Sequence, residues 1–390
     1  MISDILNKVT CKEGRIMNKK EIAEIKKQFT ERHCSISKIC GCYVDGEKNI
    51  KTTFKQPFLS LDIEEMFKYF EILRKSLSGT FGKNLRNIDF PIECEELGGT
   101  QEFLLKLRDS KLNDDDMIAS YYNKIIESYD YVGNYLILII HDTYDVPGRT
   151  TDNIEMDDAS DEVYEYILTT ICPVNLSKPG LSYDSADNIF VNRTRDWVVE
   201  MPETALLFPA FNDRSTDIHS LLYYSKDGND LHDSFIEQIL NCPIPMSSDS
   251  QKETFATIIE ETVGDSLDLE FMKNIQENLT RRAEESKENN EVLTLDKDDI
   301  KYLLKESGAE EELFEMYDKA YEAIANKNER VYASNVLNTR SFNVKTPSVV
   351  IKVDPLRCDL IEKKTIDGRE CLVIALDGDV EVNGITISHH

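Results

Sequence analysis

Tyr135-Leu-Ile-Leu-Ile-Ile-His-Asp142 is the stretch that decides the fold class. Its first six residues carry no charge and do not alternate polar with apolar, so they predict a strand covered on both faces, central in a sheet. The run is strand-sized, far short of the roughly 18 apolar residues of a membrane span. It ends in His141 and Asp142, at the kind of strand end where α/β enzymes often place catalytic groups.

Downstream, an acidic loop at 152–161 leads to a second long strand at 163–174. Short strands follow at 181–183 and 189–191, then near 197–201, 205–208 and 217–224, which makes 135–224 strand-rich. Upstream, apolar runs at 36–44 and 50–54 frame Asp45-Gly46-Glu47-Lys48-Asn49 and predict a hairpin, with Gly41 as a bulge. Asn18 with Glu21 forms a capping-box pattern for a helix carrying Ile22, Ile25 and Phe29 on one face. Further helices are predicted at 62–78, at 101–108 and from Asp114.

From Leu231 the pattern turns helical, with Ser250 and Glu253 as a second capping box. Residues 281–299 are charged and read as a linker, before helices near 297–306 and 309–326. Strands are predicted at 349–353, 359–365 and 369–376, with Asp367-Gly368 as the tight turn between the last two. The expected architecture is α+β. A mixed-sheet body with flanking helices covers 17–245, a helical segment with a charged linker 246–330, and a small β-rich appendage 331–387. Lys12-Glu13-Gly14-Arg15 back-translates to a purine-rich, ribosome-binding-like run before Met17. Residues 1–16 therefore read as a non-native or disordered extension, and His389-His390 as the stub of a tag.

Composition narrows the function classes. At 390 residues, 41% hydrophobic and 30% charged, the chain is a soluble folded protein of two or three domains. A net charge of -28 repels phosphate backbones and anionic bilayers, so general nucleic-acid coating and membrane binding are disfavoured. A local basic patch escapes that argument. The nine cysteines are scattered without a CxxC, which fits a reducing cytoplasm better than a disulfide framework.

The densest chemistry lies between Trp197 and Lys226, in the polar knot Asn212-Asp213-Arg214-Ser215-Thr216-Asp217 followed by His219. Arg214 with Asp213 or Asp217 could hold an anion, and His219 could move protons near neutral pH. The same residue types also build ordinary turns, because their side chains bond to nearby backbone. His141 and Asp142 would complete an acid–base or metal-assisted site if the sheet brought them to this loop. Otherwise they are a structural pair. Cys34, Cys40 and Cys42 lack zinc spacing, and Cys40 and Cys42 would share one strand face as core residues. The acidic loop lacks the order of a calcium loop. Phosphate-binding, zinc-protease and nucleophile-elbow motifs are absent, and no cofactor is implied.

Gly98-Gly99-Thr100-Gln101, followed by a helix containing Leu107-Arg108 and then by the strand at 135–140, resembles the middle domain of archaeal and eukaryotic peptide-release factors. A threonine here separates the second glycine from the glutamine. That resemblance implies a link to the ribosome. The whole chain resembles a family of cytosolic proteins from Clostridia-type Firmicutes whose domain has no assigned function. It does so through Ile39–Ile50, Gly98–Ser110, Cys172–Ser182 and Phe208–His219. This second resemblance spans about 17–385 and implies no activity.

Two functions are therefore expected in competition. One is a cytosolic binding or regulatory protein with a protein partner or the ribosome, one form of it being translation-associated in the sense of the release-factor likeness. The other is a hydrolase whose site joins His141 and Asp142 to Asp213, Arg214, Asp217 and His219.

Overall fold

The computed structural model describes residues 16–149, 155–324, 330–336, 338 and 341–387, with backbone alone over 149 and 155–161. Residues 1–15, residues 152–154 of the acidic loop and the terminal histidines fall outside that description, whereas from Glu155 the backbone of the stretch expected as a loop at 152–161 is strand. The chain divides into two units between Ser247 and Ser248.

In the first unit, α1 (Lys19–Gln28) begins at the capping box expected of Asn18. Its side chain accepts from Glu21 N at 3.1 Å while Glu21 Oε2 accepts from Asn18 N at 2.7 Å. The hairpin β1 (Lys38–Val44) and β2 (Ile50–Pro57) follows, closed by Asp45, which accepts from Glu47 N and Asn49 N at 2.9 Å each. Gly41 is not a bulge. The register shift falls between Tyr43 and Val44, and Gly41 instead makes room for the Phe54 ring, 2.2 Å from where a Cβ would sit.

Next come α2 (Ile63–Ser76), β3 (Leu85–Asp89), α3 (Thr100–Asp109) and α4 (Asp115–Ser128). Asp62 and Asp114 cap α2 and α4 as the acidic starts predicted, Asp114 accepting from Met117 N at 3.0 Å. The apolar run lies in β4 (Asn134–Arg149), paired along its length with β5 (Glu155–Leu176). A small hairpin of β6 (Leu181–Asp184) and β7 (Ile189–Asn192) precedes β8 (Trp197–Val199) and β9 (Thr204–Phe208). The hairpin β10 (Ala210–Asn212) and β11 (Ser215–Asp217) leads to β12 (Ser220–Ser225). The helical turn α5 (Asp233–Phe235) runs into one π-helical turn at Ile236–Leu240.

The main sheet has the order β2-β1-β4-β5-β9-β12-β3, and β8 also pairs with the end of β5. β4 is central, as its two-sided apolar pattern requires. The α+β class holds, but the ladders are antiparallel where a mixed sheet was expected. Short connections such as Asp45–Asn49 reverse the chain, whereas parallel neighbours need a crossover.

One face of the sheet carries Cys40, Cys42, Ile137, Ile139, Ile167 and Phe208, packed with Leu104, Ile118 and Ile125 from α3 and α4. Cys40 and Cys42 share that face, as their spacing predicts. On the other face α2 packs against β5 and β9, and Ser76 Oγ meets Thr170 Oγ1 at 3.1 Å. Burying one such aliphatic side chain contributes about 1.5–3 kcal/mol, so the two-sided core dominates stability.

The second unit opens with α6 (Ser248–Val263), whose start two residues before Ser250 puts that residue inside the helix rather than at its cap. α7 (Leu269–Asn289) follows, then β13 (Thr294–Leu295), α8 (Lys297–Glu306), α9 (Phe314–Ile324), β14 (Val331–Tyr332) and α10 (Ala333–Val336). The charged linker expected at 281–299 is largely helical instead: α7 runs unbroken to Asn289 and α8 takes over at Lys297. Asp268 caps α7, and Arg281 and Arg282 reach Glu306 of α8 at 3.2 and 2.7 Å. Its low hydrophobicity is that of a solvated helix face laced with ion pairs. The remaining strands form three hairpins: β15 (Phe342–Lys345) with β16 (Val350–Val353), β17 (Ile361–Ile366) with β18 (Arg369–Ile374), and β19 (Val380–Val382) with β20 (Ile385–Ile387). Asp367 and Gly368, at φ 50° and 74°, make the predicted tight turn. No helix among the described residues is long and apolar enough to cross a membrane.

Candidate functional site

Consecutive residues of a strand point to opposite faces, and His141 and Asp142 obey this. Asp142 is fully buried on the α2 side. Its Oδ1 accepts from Ser35 Oγ at 2.7 Å and from Thr143 N at 2.9 Å, and its Oδ2 accepts from Tyr166 OH at 2.7 Å. Tyr164 stacks on Tyr166 at 4.9 Å and donates to the Pro209 carbonyl. Burial pushes the Asp142 carboxyl above its ordinary range, and the three donors pull back. A carboxylate offers about four acceptor positions. Three of them are taken from inside the protein, and no solvent reaches the fourth.

His141 faces the α3 side and is 2% exposed. Its Nε2 lies 3.1 Å from Glu165 Oε1, which also meets Lys111 Nζ at 3.1 Å. A carboxylate only accepts, so Nε2 carries the hydrogen and Nδ1 is the bare acceptor. Nδ1 is buried without a hydrogen-bond partner among the described residues. Burial holds the ring below its ordinary pKa, against the pull of Glu165. Burial raises Glu165, but the bonds and charges of Lys111 and His141 bring it below the usual value. Burial thus favours the neutral form of the imidazole, and almost none of the ring is exposed to solvent.

The knot is a tight hairpin turn. Asp213 and Arg214 have φ of 54° and 58°, so both central residues are left-handed, as a type I′ turn requires. Neither is glycine, and the strain is offset by α1. Arg214 N donates to Glu21 Oε1 at 3.3 Å, and Arg214 Nη2 donates to Glu24 Oε1 at 3.0 Å and to the Pro147 carbonyl at 2.9 Å. The Asp213 amide also bonds to Glu21. Tyr144 OH donates to Glu24 Oε1 at 2.7 Å.

Asp217 is engaged on both oxygens. Oδ2 accepts from Asn212 Nδ2 at 2.6 Å and Ser220 Oγ at 2.7 Å, and Oδ1 accepts from His219 N at 3.0 Å. His219 is exposed and pairs with Glu95 through Nδ1 at 2.7 Å.

The six residues thus fall into four settings: His141 with Glu165, Asp142 with Ser35 and Tyr166, Asp213 and Arg214 on α1, and Asp217 with His219 beside Glu95. Sheet alternation puts His141 and Asp142 on opposite faces, and among the described residues His141 pairs with Glu165 while His219 pairs with Glu95, so the two histidines share no bonded partner. Among the described residues no group of three His, Cys, Asp or Glu side chains could hold a metal ion. Gln101 lies in the stretch that carries the release-factor likeness. It is buried, and its Nε2 donates to the Ile218 carbonyl at 2.9 Å. Gly99 is needed because a Cβ there would lie 2.4 Å from the Cys94 carbonyl oxygen.

What reading along the chain missed is the exposure of the β6–β7 hairpin. Tyr183 and Phe190 face each other across it with ring centroids 5.5 Å apart. Phe190 is 71% exposed and Leu181 74%, and Trp197 of β8 is also exposed. The alternation of Leu181-Ser-Tyr-Asp184 signals a strand with one apolar face. The missing signal is a cover, since among the described residues β6 and β7 pair only with each other.

A search of curated proteins returns no match. The family profile described as Domain of unknown function (DUF4317) matches residues 17–385, nearly the whole chain, and the protein belongs to that family.

Proposed function

We propose that the protein acts by binding rather than by catalysis, as a cytosolic regulatory protein that takes a protein partner on the apolar face of the β6–β7 hairpin. The exposed row Leu181, Tyr183 and Phe190, with Trp197 beside it in sequence, carries this reading. Exposed aromatic side chains of this kind are the usual anchors of protein interfaces, and apolar patches that remain in solvent mark contact surfaces. Between Ser177 and Asp196 the cations Lys178, Arg193 and Arg195 balance the acids Asp184, Asp187 and Asp196. The hairpin is therefore a neutral element on a chain of net charge -28, and the long-range repulsion of other acidic proteins is weakest there. The resemblance to Clostridia-type cytosolic proteins fits the same reading.

The hydrolase alternative draws no support from side chains spread over four separate settings. The translation-associated form draws none from a buried Gln101. Both remain open to direct test. Ribosome co-sedimentation at low salt is expected to leave the protein in the soluble fraction, and a salt-sensitive ribosomal pellet would restore the translation-associated form. The main test places a photo-crosslinking residue at Phe190 and, as control, at the exposed Leu97. A discrete adduct is expected from position 190 alone, lost when Leu181 and Tyr183 are changed to Ser. Equal adducts from both positions, or none, would remove the hairpin from the account, and an adduct of twice the chain mass would make the partner a second copy.

A further inference from the structure

α1 carries two sets of charges. Its acids Glu21 and Glu24 turn to Arg214 and Tyr144. Its lysines do something else. Lys19, Lys26 and Lys27 line one side of an open groove of about 500 Å³, and Arg74 at the end of α2 lines the other. The floor is apolar, built from the buried Ile22, Leu77, Phe81 and Leu85. No carboxylate lines the groove, in a chain with 73 acidic and 45 basic residues.

Among the described residues none of these four cations has an ion pair. Lys26 Nζ donates to Ser78 Oγ at 2.6 Å, and Arg74 donates to the Phe29 carbonyl. Lys26 is held below its ordinary pKa by burial first, then by the charges of Arg74 and Lys75. The bland explanation is that basic residues suit the last turns of helices, and both α1 and α2 end beside this groove. The magnitudes decide against it as a full account. Each helix end supplies about half a negative charge, so two ends offset about one of four positive charges and about three remain.

The cations are also spread out. Seven residues separate Lys19 from Lys26, or about 10.5 Å of helix, with the denser cluster of Lys26, Lys27 and Arg74 at one end. Between the poles the floor presents aliphatic carbon and one aromatic ring. The polar side chain there, Ser78, is already engaged: its hydroxyl accepts from Lys26 and donates to the Arg74 carbonyl. Nothing on that floor could read the edge of a nucleobase. A long aliphatic body beside a doubly charged head matches both features, because a phosphate dianion takes charge-assisted bonds from several cations at once.

We propose that the α1–α2 groove binds a single-chain amphiphile with a phosphate head, the head held by Lys26, Lys27 and Arg74 and the chain laid over Ile22, Leu77, Phe81 and Leu85. This site lies on other residues than the β6–β7 hairpin and does not depend on the protein-partner reading.

The test is titration calorimetry of the full chain with dodecyl phosphate below its micelle concentration. Inorganic phosphate serves as the head alone and dodecyl maltoside as the same chain with a neutral head. Saturable one-to-one binding of dodecyl phosphate is expected, at least tenfold tighter than either comparison. Lys19→Gln with Lys27→Gln alters only exposed side chains, so folding is preserved, and affinity should fall at least tenfold. Lys252→Gln, in the second unit, should leave it unchanged. Equal affinity for charged and neutral heads, or an unchanged affinity in the double variant whose thermal transition matches the parent, would overturn the site. So would binding confined to vesicles of anionic phospholipid, with no saturable uptake of the single-chain probe.

Discussion

The two charged regions that meet on α1 look alike in sequence and differ in kind. On one side Glu21 and Glu24 hold the Asp213–Arg214 turn, where each charged group has an internal partner. On the other side Lys19, Lys26, Lys27 and Arg74 surround a groove without a carboxylate. The first is denser in polar residues and richer in apparent chemistry. Its density is what makes it structural, because polar groups bonded to one another inside the protein hold the turn in place. The second consists of ordinary surface lysines, yet it leaves charge uncompensated, and uncompensated charge is what a ligand can use.

The contrast can be broken most forcefully at Asp142. Asp142→Ala removes the acceptor of Ser35, Thr143 and Tyr166 in a fully buried setting, and the unfolding free energy should fall by about 3 kcal/mol. Chemical denaturation measures this directly. An unchanged midpoint would mean that Asp142 is solvated and available for chemistry after all.

His141 sharpens the contrast through pH. Burial holds its folded pKa below the ordinary 6.5, so the unfolded chain binds that proton more readily. The resulting stability is present above pH 6.5 and is lost as pH falls through the folded value. His232 is shifted in the same direction, also by burial, and adds to the same acid-side decline. His141→Gln should flatten the fall in unfolding midpoint below pH 6.5 without abolishing it. If the variant keeps the full slope, His141 is open to solvent and its neutral, sealed description is wrong.

Much of the fold was legible from residues alone, and the reasons are local. The unbroken apolar run at 135–140 can only be covered on both sides, the Asn18 capping box is closed within four residues, and Asp367-Gly368 sits where two left-handed residues are needed. What was not legible depends on partners distant in sequence. The charged stretch after Arg281 is helical because Glu306 stands across from it. Gly41 is explained by Phe54 and Gln101 by the Ile218 carbonyl. The separation of His141 from Asp142 was implicit in strand alternation. The groove was not, since it needs α1 and the end of α2 side by side and two sets of like charges with nothing between them.

The central claim is that the charges of α1 bonded to the Asp213–Arg214 turn hold the fold and those without an ion pair serve a ligand. One paired measurement tests it. Arg214→Ala and Lys19→Gln with Lys27→Gln are each followed by denaturation and by dodecyl phosphate titration. Arg214→Ala should cost about 2 kcal/mol of stability and leave the affinity of the folded protein unchanged. The lysine pair should leave stability within about 0.5 kcal/mol of the parent and lose binding at least tenfold. The reverse pattern, with the turn variant losing the ligand and the lysine variant losing the fold, would contradict the account.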